Sequence, residues 1–202
     1  ILDGDSIAAS VSSIVDENLY YFSKQYLSSY FLNSIAIDFV KVMLAVVGRA
    51  KKCLVVDLDN TLWDGVIGDD GYQSVMFDST SHGLVYRDIQ RTLKNWSDQG
   101  VIITVCSKNN ASEVHKLFEH RKDFLLSVSD ISEIKINWNA KSQNITEIAE
   151  SLNINLDSMV FVDDSVFERS EVNHYLPSVT VLNLENNPKK FSNIILNNNG
   201  FD

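Results

Sequence analysis

Short apolar runs that alternate with amphipathic helical segments constrain the fold of this 202-residue chain more than any other feature. The runs CLVV, VIITVC and MVFV begin at Cys53, Val101 and Met159 and are rich in the residues that buried strands prefer. Segments with helical spacing of apolar residues lie between them, at 85–100 and 139–154. Strands that alternate with helices form a mostly parallel, doubly wound sheet flanked by helices. The sequence therefore predicts an α/β fold.

The boundaries of this α/β pattern predict the organisation of the chain. Apolar residues at helical spacing precede it, whereas an Asn-rich tail follows it. Two shorter runs, FLLSVS and EIKINW, are weaker strand candidates. The predicted parts are a helical N-terminal arm (1–50), a catalytic core (51–185) with a short insertion that forms a minimal cap (62–84), and a C-terminal helix and linker (186–202).

Charge and composition exclude several classes of partner. The formal net charge of −10 argues against nucleic acid and against an anionic membrane surface. No apolar run approaches the roughly 18 residues that a membrane span needs, and the first residues do not resemble a signal peptide. Cys53 and Cys106 make neither a disulfide framework nor a zinc site. These features predict a cytoplasmic protein.

Polar side chains follow three of the predicted strands. Asp57 and Asp59 come directly after the first strand, Ser107 ends the second, and Asp163 and Asp164 follow a third. Ligands of parallel sheets bind beyond the carboxyl ends of the strands, so we expect these side chains at one edge. Neighbouring carboxylates repel one another when ionised, and hard oxygen ligands select Mg²⁺ over zinc. The sequence therefore predicts a magnesium site.

A magnesium ion at this edge can neutralise a bound phosphate. One carboxylate can then act as a nucleophile and another as a proton donor. Ser107 is expected to hold a phosphate oxygen, and Lys141 is expected to offset the remaining negative charge.

Two other interpretations of the acidic residues remain. DLDNTL could begin a calcium-binding loop, but Thr61 and Leu62 stand where an EF-hand needs Asp or Asn and then Gly. Alternatively, the acids could be turn residues and helix caps. Acids at two strand ends, together with Ser107 and Lys141, favour the magnesium site.

The ordered motifs resemble those of the haloacid dehalogenase (HAD) superfamily of phosphotransferases. VVDLDNT resembles its D-x-D-x-T motif, ITVCS its second motif, Lys141 its third and VFVDDS its fourth. The resemblance implies that Asp57 is a nucleophile that forms an aspartyl-phosphate and that Asp59 is the general acid and base. It also implies that Mg²⁺ is bound by Asp57, by the backbone carbonyl of Asp59, and by Asp163 or Asp164.

Longer stretches resemble the FkbH-like glyceryl transferase and phosphatase domains of polyketide and tetronate pathways. These stretches are CLVVDLDNTLWDGVIGDDG, VCSKNN, INWNAKSQNI and VFVDDSVFERSEV. The resemblance implies that a glyceryl unit from D-1,3-bisphosphoglycerate is loaded onto the phosphopantetheine thiol of an acyl carrier protein, with dephosphorylation. Asp64 stands where a second Gly is expected, and Ser165 and Val166 where Asn-Pro is usual, which puts the specificity in doubt.

This donor suggests roles for the residues beside the motifs. Thr61, Ser107, Lys108 and Asn109 are expected to bind substrate. Cys106 is the hypothesised thiol nucleophile, because a thiolate suits the acyl phosphate carbonyl and leaves a thioester. Adjacent strand residues face opposite ways, so Cys106 and Ser107 share the site only if the strand has already ended.

Three residues near the motifs have two interpretations each. Trp63 is either a core aromatic or part of the pocket lining. Glu168 and Arg169 are either a helix-capping pair or groups near the metal.

Two rival functions stay open from the sequence. An ordinary HAD-type small-molecule phosphatase would use Asp57 and Asp59 but would need neither thiol nor carrier protein. A non-catalytic docking domain could keep the fold, although the intact set of motif residues argues against it.

Overall fold

The structure, a computed structural model, describes residues 13–48, 50–77, 82–184 and 188–196. It divides into two units, one of residues 1–50 with 199–202 and one of residues 51–198.

The described residues of the first unit form two helices, α1 (Glu17–Ser23) and α2 (Ser29–Val46). Asp16 caps α1 by accepting a hydrogen bond from the backbone N–H of Leu19 at 3.1 Å. Lys24 ends the helix in the left-handed conformation. In the described part of the chain, none of the helices has both the length and the apolar character needed to span a membrane.

The second unit is built on one sheet, in which the described residues form five strands. The strands are β1 (Cys53–Val56), β2 (Ile102–Ser107), β3 (Ile131–Ile136), β4 (Met159–Val162) and β5 (Thr180–Val181). Their order is β3-β2-β1-β4-β5, and every neighbouring pair is parallel. This confirms the predicted α/β class. Because β1 lies between β2 and β4, the strands that carry the three polar termini are direct neighbours.

Helices follow the strands as the sequence pattern predicts. They are α3 (Ile67–Asp70), α4 (Gly83–Asp98), α5 (Ala111–His120), α6 (Lys141–Leu152), α7 (Val166–Tyr175) and α8 (Phe191–Leu196), with 3₁₀ turns at Val128–Asp130, Leu156–Ser158 and Pro188–Lys190. Ser165 caps α7, accepting a hydrogen bond from the backbone N–H of Glu168. Helices α5, α6 and α7 each begin a few residues after a strand, so their N-termini lie at the carboxyl edge of the sheet.

One face of the sheet packs against α6 and α7. Side chains from β1, β2 and β4 that share this face form a buried core with residues of the two helices and with one residue before β5: Cys53, Val55, Cys106, Ile145, Ile148, Ala149, Met159, Phe161, Val172 and Val179. Burying a large aliphatic or aromatic side chain stabilises the fold by roughly 1.5–3 kcal/mol. This packed core therefore holds in place the strands whose carboxyl ends carry the polar residues.

The insertion after β1 is short and is fastened to α5. Asp64 and Met76 exchange backbone hydrogen bonds of 2.8 and 2.9 Å, which close the segment into a loop around α3. The guanidinium of Arg121, just after α5, donates to the carbonyls of Tyr72, Gln73 and Val75, each at 3.2 Å. These bonds fix the insertion beside the carboxyl edge of the sheet.

Candidate active site

Three carboxylates converge at the carboxyl edge. Asp57 directly follows β1, and Asp163 and Asp164 directly follow the adjacent β4. One oxygen from each carboxylate lies within 4.8 Å of the other two. Asp57 and Asp163 are buried, whereas Asp164 is half-buried. The backbone N–H of Asp57 still bonds to the carbonyl of Val162, at 2.9 Å, so the sheet itself sets the spacing of the carboxylates.

Lys141, the first residue of α6, lies against this cluster. Its Nζ donates to Asp57 Oδ1 at 2.5 Å and to the carbonyl of Cys106 at 2.6 Å, and it lies 3.0 Å from Asp163 Oδ2. The side chain is only 2% exposed. Burial alone would lower the pKa of Lys141, but the carboxylates of Asp57 and Asp163 raise it above its usual value. Lys141 is therefore charged at neutral pH.

One lysine does not balance three carboxylates. Burial, together with the nearby charge of Asp57, raises the pKa of Asp163 to about 7 and that of Asp164 to about 6. Within the part of the chain that the structure describes, Asp163 Oδ2 is buried and accepts no well-directed hydrogen bond, although the Lys141 ammonium lies 3.0 Å from it. A divalent cation with oxygen ligands would satisfy this atom and offset the repulsion. The three carboxylates therefore fit a magnesium ion.

Two neighbouring side chains hold the fourth-motif loop in place. Arg169, which is buried, donates to the carbonyls of Asp163 at 2.6 Å, Asp164 at 2.7 Å and Leu184 at 3.1 Å. Thr61 accepts from the backbone N–H of Asp164 at 3.2 Å and is fully buried. The expectation that Thr61 binds substrate is therefore not supported, because its hydroxyl joins the first motif to the fourth. Arg169 thus lies beside two of the three clustered carboxylates, and its role near a metal stays a prediction.

Asp59 lies next to the cluster but is bound differently. Its Oδ1 accepts from the indole N–H of Trp63 at 2.8 Å and from the backbone N–H of Ile67 at 3.2 Å. Its Oδ2 accepts from the side-chain amide of Asn109 at 2.8 Å. Burial raises the pKa of Asp59, and these hydrogen bonds oppose that rise. The carboxylate of Asp59 is thus outside the group of three that converges on one point.

A small cavity opens above these groups. It has a volume of about 160 Å³. Its lining residues are Asp57, Asp59, Asn60, Ser107, Lys108, Lys141, Asp163, Asp164, Ser165 and Glu168. Lys108 Nζ lies 2.9 Å from Glu168 Oε1, so both residues form part of the wall.

The structure brings together most of the residues that the sequence singled out. Every residue predicted for catalysis, metal or substrate lines the cavity except three: Thr61, Cys106 and Asn109. Asn60 and Ser165 line it although neither was predicted to do so. The signal for Asn60 was its place inside the first motif, and for Ser165 its place directly after the fourth.

Asn109 is buried and has no position in the cavity wall. Its amide nitrogen bonds to Asp59, and its Oδ1 accepts from the backbone N–H of Asn110 at 2.9 Å. The contact that the structure shows for Asn109 is with Asp59, and substrate binding by Asn109 stays a prediction.

Cys106 lies in the core and not in the cavity. Strand β2 continues through Ser107, so the two side chains alternate, and the thiol packs in the cluster that includes Ile145 and Phe161. It has no exposed surface, and burial raises the pKa of Cys106 to about 12. The hypothesised nucleophile is therefore neutral and out of reach of a substrate carbonyl. The structure gives the thiol a packing role instead.

Both thiols are expected to resist alkylation in the folded protein. Burial also raises the pKa of Cys53, to about 11, and a neutral buried thiol is a poor nucleophile. Iodoacetamide at pH 8, followed by intact-mass measurement, should modify neither Cys106 nor Cys53 until denaturant is added. Rapid modification of Cys106 in the native protein would restore the thiol hypothesis.

The parallel sheet, with the carboxylate cluster and the buried lysine at its carboxyl edge, has the fold of a solved phosphatase domain. The N-terminal part of the protein BF1531 from Bacteroides fragilis, which contains a phosphatase domain and was solved in complex with Mg, is 35% identical over 100% of this chain, with a TM-score of 0.83. This chain spans about half of that one, 54% of its length.

Other matches are more distant. An uncharacterized protein from Corynebacterium glutamicum is 13% identical, with a TM-score of 0.49, and covers 75% of this chain and 96% of its own. A HAD family enzyme from Bacteroides thetaiotaomicron is 11% identical, with a TM-score of 0.47, and the match covers 67% of this chain and 94% of that enzyme. Similarity at this level carries no functional argument. The sequence matches no protein-family model, and no curated protein matches it significantly.

Proposed function

We propose that this chain is a Mg²⁺-dependent HAD-type phosphatase that works through an aspartyl-phosphate on Asp57. The observation that carries the proposal is the convergence of Asp57, Asp163 and Asp164 beside the buried Lys141. The phosphatase domain from Bacteroides fragilis, complexed with Mg, supports both the reaction class and the predicted metal.

The side chains of the cavity suit this reaction. Asp57 attacks phosphorus while the bond from phosphorus to the leaving oxygen breaks, and Asp59 gives that oxygen a proton. In the second step, Asp59 takes a proton from water as the water oxygen attacks phosphorus, the bond from phosphorus to Asp57 breaks, and inorganic phosphate leaves. Lys141 and Ser107 hold phosphate oxygens. When Mg²⁺ is bound by the three clustered carboxylates, it supplies the charge that lets a phosphate dianion approach them.

A narrower proposal names the substrate and the acceptor. The four stretches that resemble FkbH-like domains favour D-1,3-bisphosphoglycerate as donor and the phosphopantetheine thiol of an acyl carrier protein as acceptor. The cavity of about 160 Å³ equals roughly five water molecules of about 30 Å³ each, which is room for one phosphate group and not for the whole donor. A reducing cytoplasm would keep both this acceptor thiol and the two free cysteines reduced.

The buried Cys106 changes how the narrower reaction would proceed. Without an enzyme thioester, the sulfur of the carrier attacks the carbonyl carbon of the acyl phosphate directly. The bond from that carbon to the phosphate oxygen breaks, and inorganic phosphate leaves with the thiol proton. Asp57 then removes the remaining phosphate from the glyceryl unit.

Intact masses distinguish the candidate functions. The chain is incubated with Mg²⁺, D-1,3-bisphosphoglycerate and a panel of holo acyl carrier proteins, and both proteins are weighed. A glyceryl increment on a carrier supports the transferase, whereas free phosphate with every carrier unchanged supports the simple phosphatase. If neither this donor nor a range of phosphate monoesters is turned over with Mg²⁺, the chain is a docking domain and the enzymatic proposal is wrong.

The apparent affinity for Mg²⁺ is expected to fall as the pH falls from 8 to 5. The metal must displace the protons that Asp163 and Asp164 carry below about pH 7 and pH 6. Each displaced proton weakens binding roughly tenfold per pH unit below its pKa. Calorimetric titration of the metal-free protein with MgCl₂ measures this, with Asp88→Asn on the exposed surface of α4 as the control. An affinity that does not change over this range would place the metal elsewhere.

The raised pKa values of Asp163 and Asp164 also determine how the stability of the metal-free protein depends on pH. The folded pKa values of Asp163 and Asp164 lie above the ordinary value of 3.8 for an aspartate, so the folded state binds more protons between about pH 4 and pH 7. Their contribution to stability is present at low pH and is lost as the pH rises through this range. Saturating Mg²⁺ should therefore raise the melting temperature more at pH 8 than at pH 5.

A further inference from the structure

We propose that Trp63 and Asn109 are positioning residues that fix the orientation of Asp59 and leave its Oδ2 as the oxygen that exchanges a proton with substrate. The inference rests on the proposed phosphatase reaction, in which Asp59 is the acid and base. It adds two residues that do not line the cavity.

The donors around Asp59 fill its first oxygen. Oδ1 has two lone-pair sites. The indole N–H of Trp63 occupies one at 2.8 Å, and the backbone N–H of Ile67 occupies the other at 3.2 Å. A proton on Oδ1 would face one of these donors, so Oδ1 is not an exchange site.

The second oxygen keeps one site open. The amide of Asn109 donates to Oδ2 at 2.8 Å, which uses one of its two lone-pair sites. Asp59 lines the cavity, whereas Trp63 and Asn109 do not. The remaining site on Oδ2 is therefore the one from which a proton can reach the leaving oxygen.

Both positioning side chains are themselves held rigidly. Trp63 has no exposed surface and packs edge-on against Phe124, with ring centroids 5.8 Å apart. A backbone bridge also joins Trp63 to Asp59. Asn109 is 4% exposed, and its Oδ1 is fixed by the backbone N–H of Asn110. Asp59 is thus hydrogen-bonded on one side to Trp63 of the insertion and on the other side to Asn109 of the segment after β2.

This arrangement predicts an effect on proton transfer that depends on the leaving group. As the bond from phosphorus to oxygen breaks, the leaving oxygen takes the proton from Asp59 Oδ2. A basic leaving group needs this proton, whereas p-nitrophenolate leaves with little help. Loss of orientation should therefore slow poor leaving groups selectively.

The test compares kcat/KM for phenyl phosphate and p-nitrophenyl phosphate in Trp63→Phe and Asn109→Ala. Each variant should lose at least ~10-fold with phenyl phosphate and less than ~3-fold with p-nitrophenyl phosphate, since general acid catalysis contributes about 10²–10⁴-fold. Phe118→Leu is the matched control, because Phe118 packs against Phe124, one ring away from Trp63, and the change leaves the contact between Trp63 and Phe124 in place. It should affect both substrates equally. Equal losses on both substrates in Trp63→Phe and Asn109→Ala would overturn the inference.

Two further measurements keep the outcome clear. If Trp63→Phe does not fold, Asn109→Ala carries the kinetic test alone. In the wild-type protein, the indole N–H signal of Trp63 should be protected from solvent exchange and should shift in Asp59→Asn; an unprotected signal would also overturn the inference. If Asp57→Asn keeps full phosphatase activity, the proposed function itself fails, whatever the leaving-group pattern.

Discussion

Asp57→Asn should abolish phosphate release while the protein stays folded. An amide cannot act as the nucleophile, and the loss of a nucleophile from a working active site costs roughly a thousandfold in kcat or more. Asn has the same shape as Asp, and the change removes one of three converging negative charges. It leaves Lys141 with Asp163 as its remaining carboxylate within 4.0 Å in the described structure. We therefore expect lost activity without lost folding.

Phosphate release with saturating Mg²⁺ measures this directly, and thermal melting confirms that the variant is folded. Asp88→Asn is the matched control, since Asp88 is exposed on α4 and pairs with Arg91 alone among the described salt bridges. It should keep wild-type turnover. Acid-quenched wild type should carry a phosphoryl increment that Asp57→Asn lacks. Turnover at a wild-type rate in Asp57→Asn would assign the nucleophile to another residue.

The sheet and the edge that carries the site could be predicted from local pattern. A buried strand of four to six residues can be recognised from its own run of apolar residues. The parallel order of the strands then follows from their alternation with helices. Once the order is parallel, the residues that follow β1, β2 and β4 must lie at one edge. Asp57, Ser107 and Asp163 are found there because of that rule alone.

The direction of individual side chains could not be predicted in this way. Whether Cys106 faces the cavity depends on whether β2 ends before or after it, and the strand continues through Ser107. Asn109 and Asp59 are 50 positions apart, and their hydrogen bond is set by how two loops meet. The spacing of apolar residues in the sequence does not predict such a contact.

The segment FLLSVS shows that the type of a secondary-structure element could not always be predicted from the sequence either. Its apolar residues suggested a strand, but the described structure has a loop there, followed by a 3₁₀ turn. The backbone N–H of Leu125 bonds to the side chain of Gln90 at 3.1 Å, not to a neighbouring strand. Phe124 instead packs edge-on against Trp63 and Phe77. Burial of an apolar segment is thus visible in sequence, whereas its backbone partner is not.

Lys141→Met should destabilise the metal-free protein strongly and abolish activity. Methionine keeps much of the aliphatic stem but removes the positive charge that pairs with the carboxylates of Asp57 and Asp163, and among the described salt bridges no other cation pairs with either carboxylate. Breaking a buried ion pair by removing one partner costs about 3–5 kcal/mol, because the other charges stay buried. We expect a loss of about 3 kcal/mol in the free energy of unfolding without metal.

Measuring stability with and without Mg²⁺ distinguishes this electrostatic cause of destabilisation from a loss of packing. A divalent cation between Asp57, Asp163 and Asp164 supplies charge that Lys141 no longer provides, so saturating Mg²⁺ should stabilise Lys141→Met more than the wild type. Urea unfolding with and without MgCl₂ measures the difference. Lys116→Met, an exposed change on α5, should leave both midpoints unchanged. If Mg²⁺ stabilises the variant and the wild type equally, repulsion among the carboxylates is not what Lys141 relieves, and its role is packing at the start of α6.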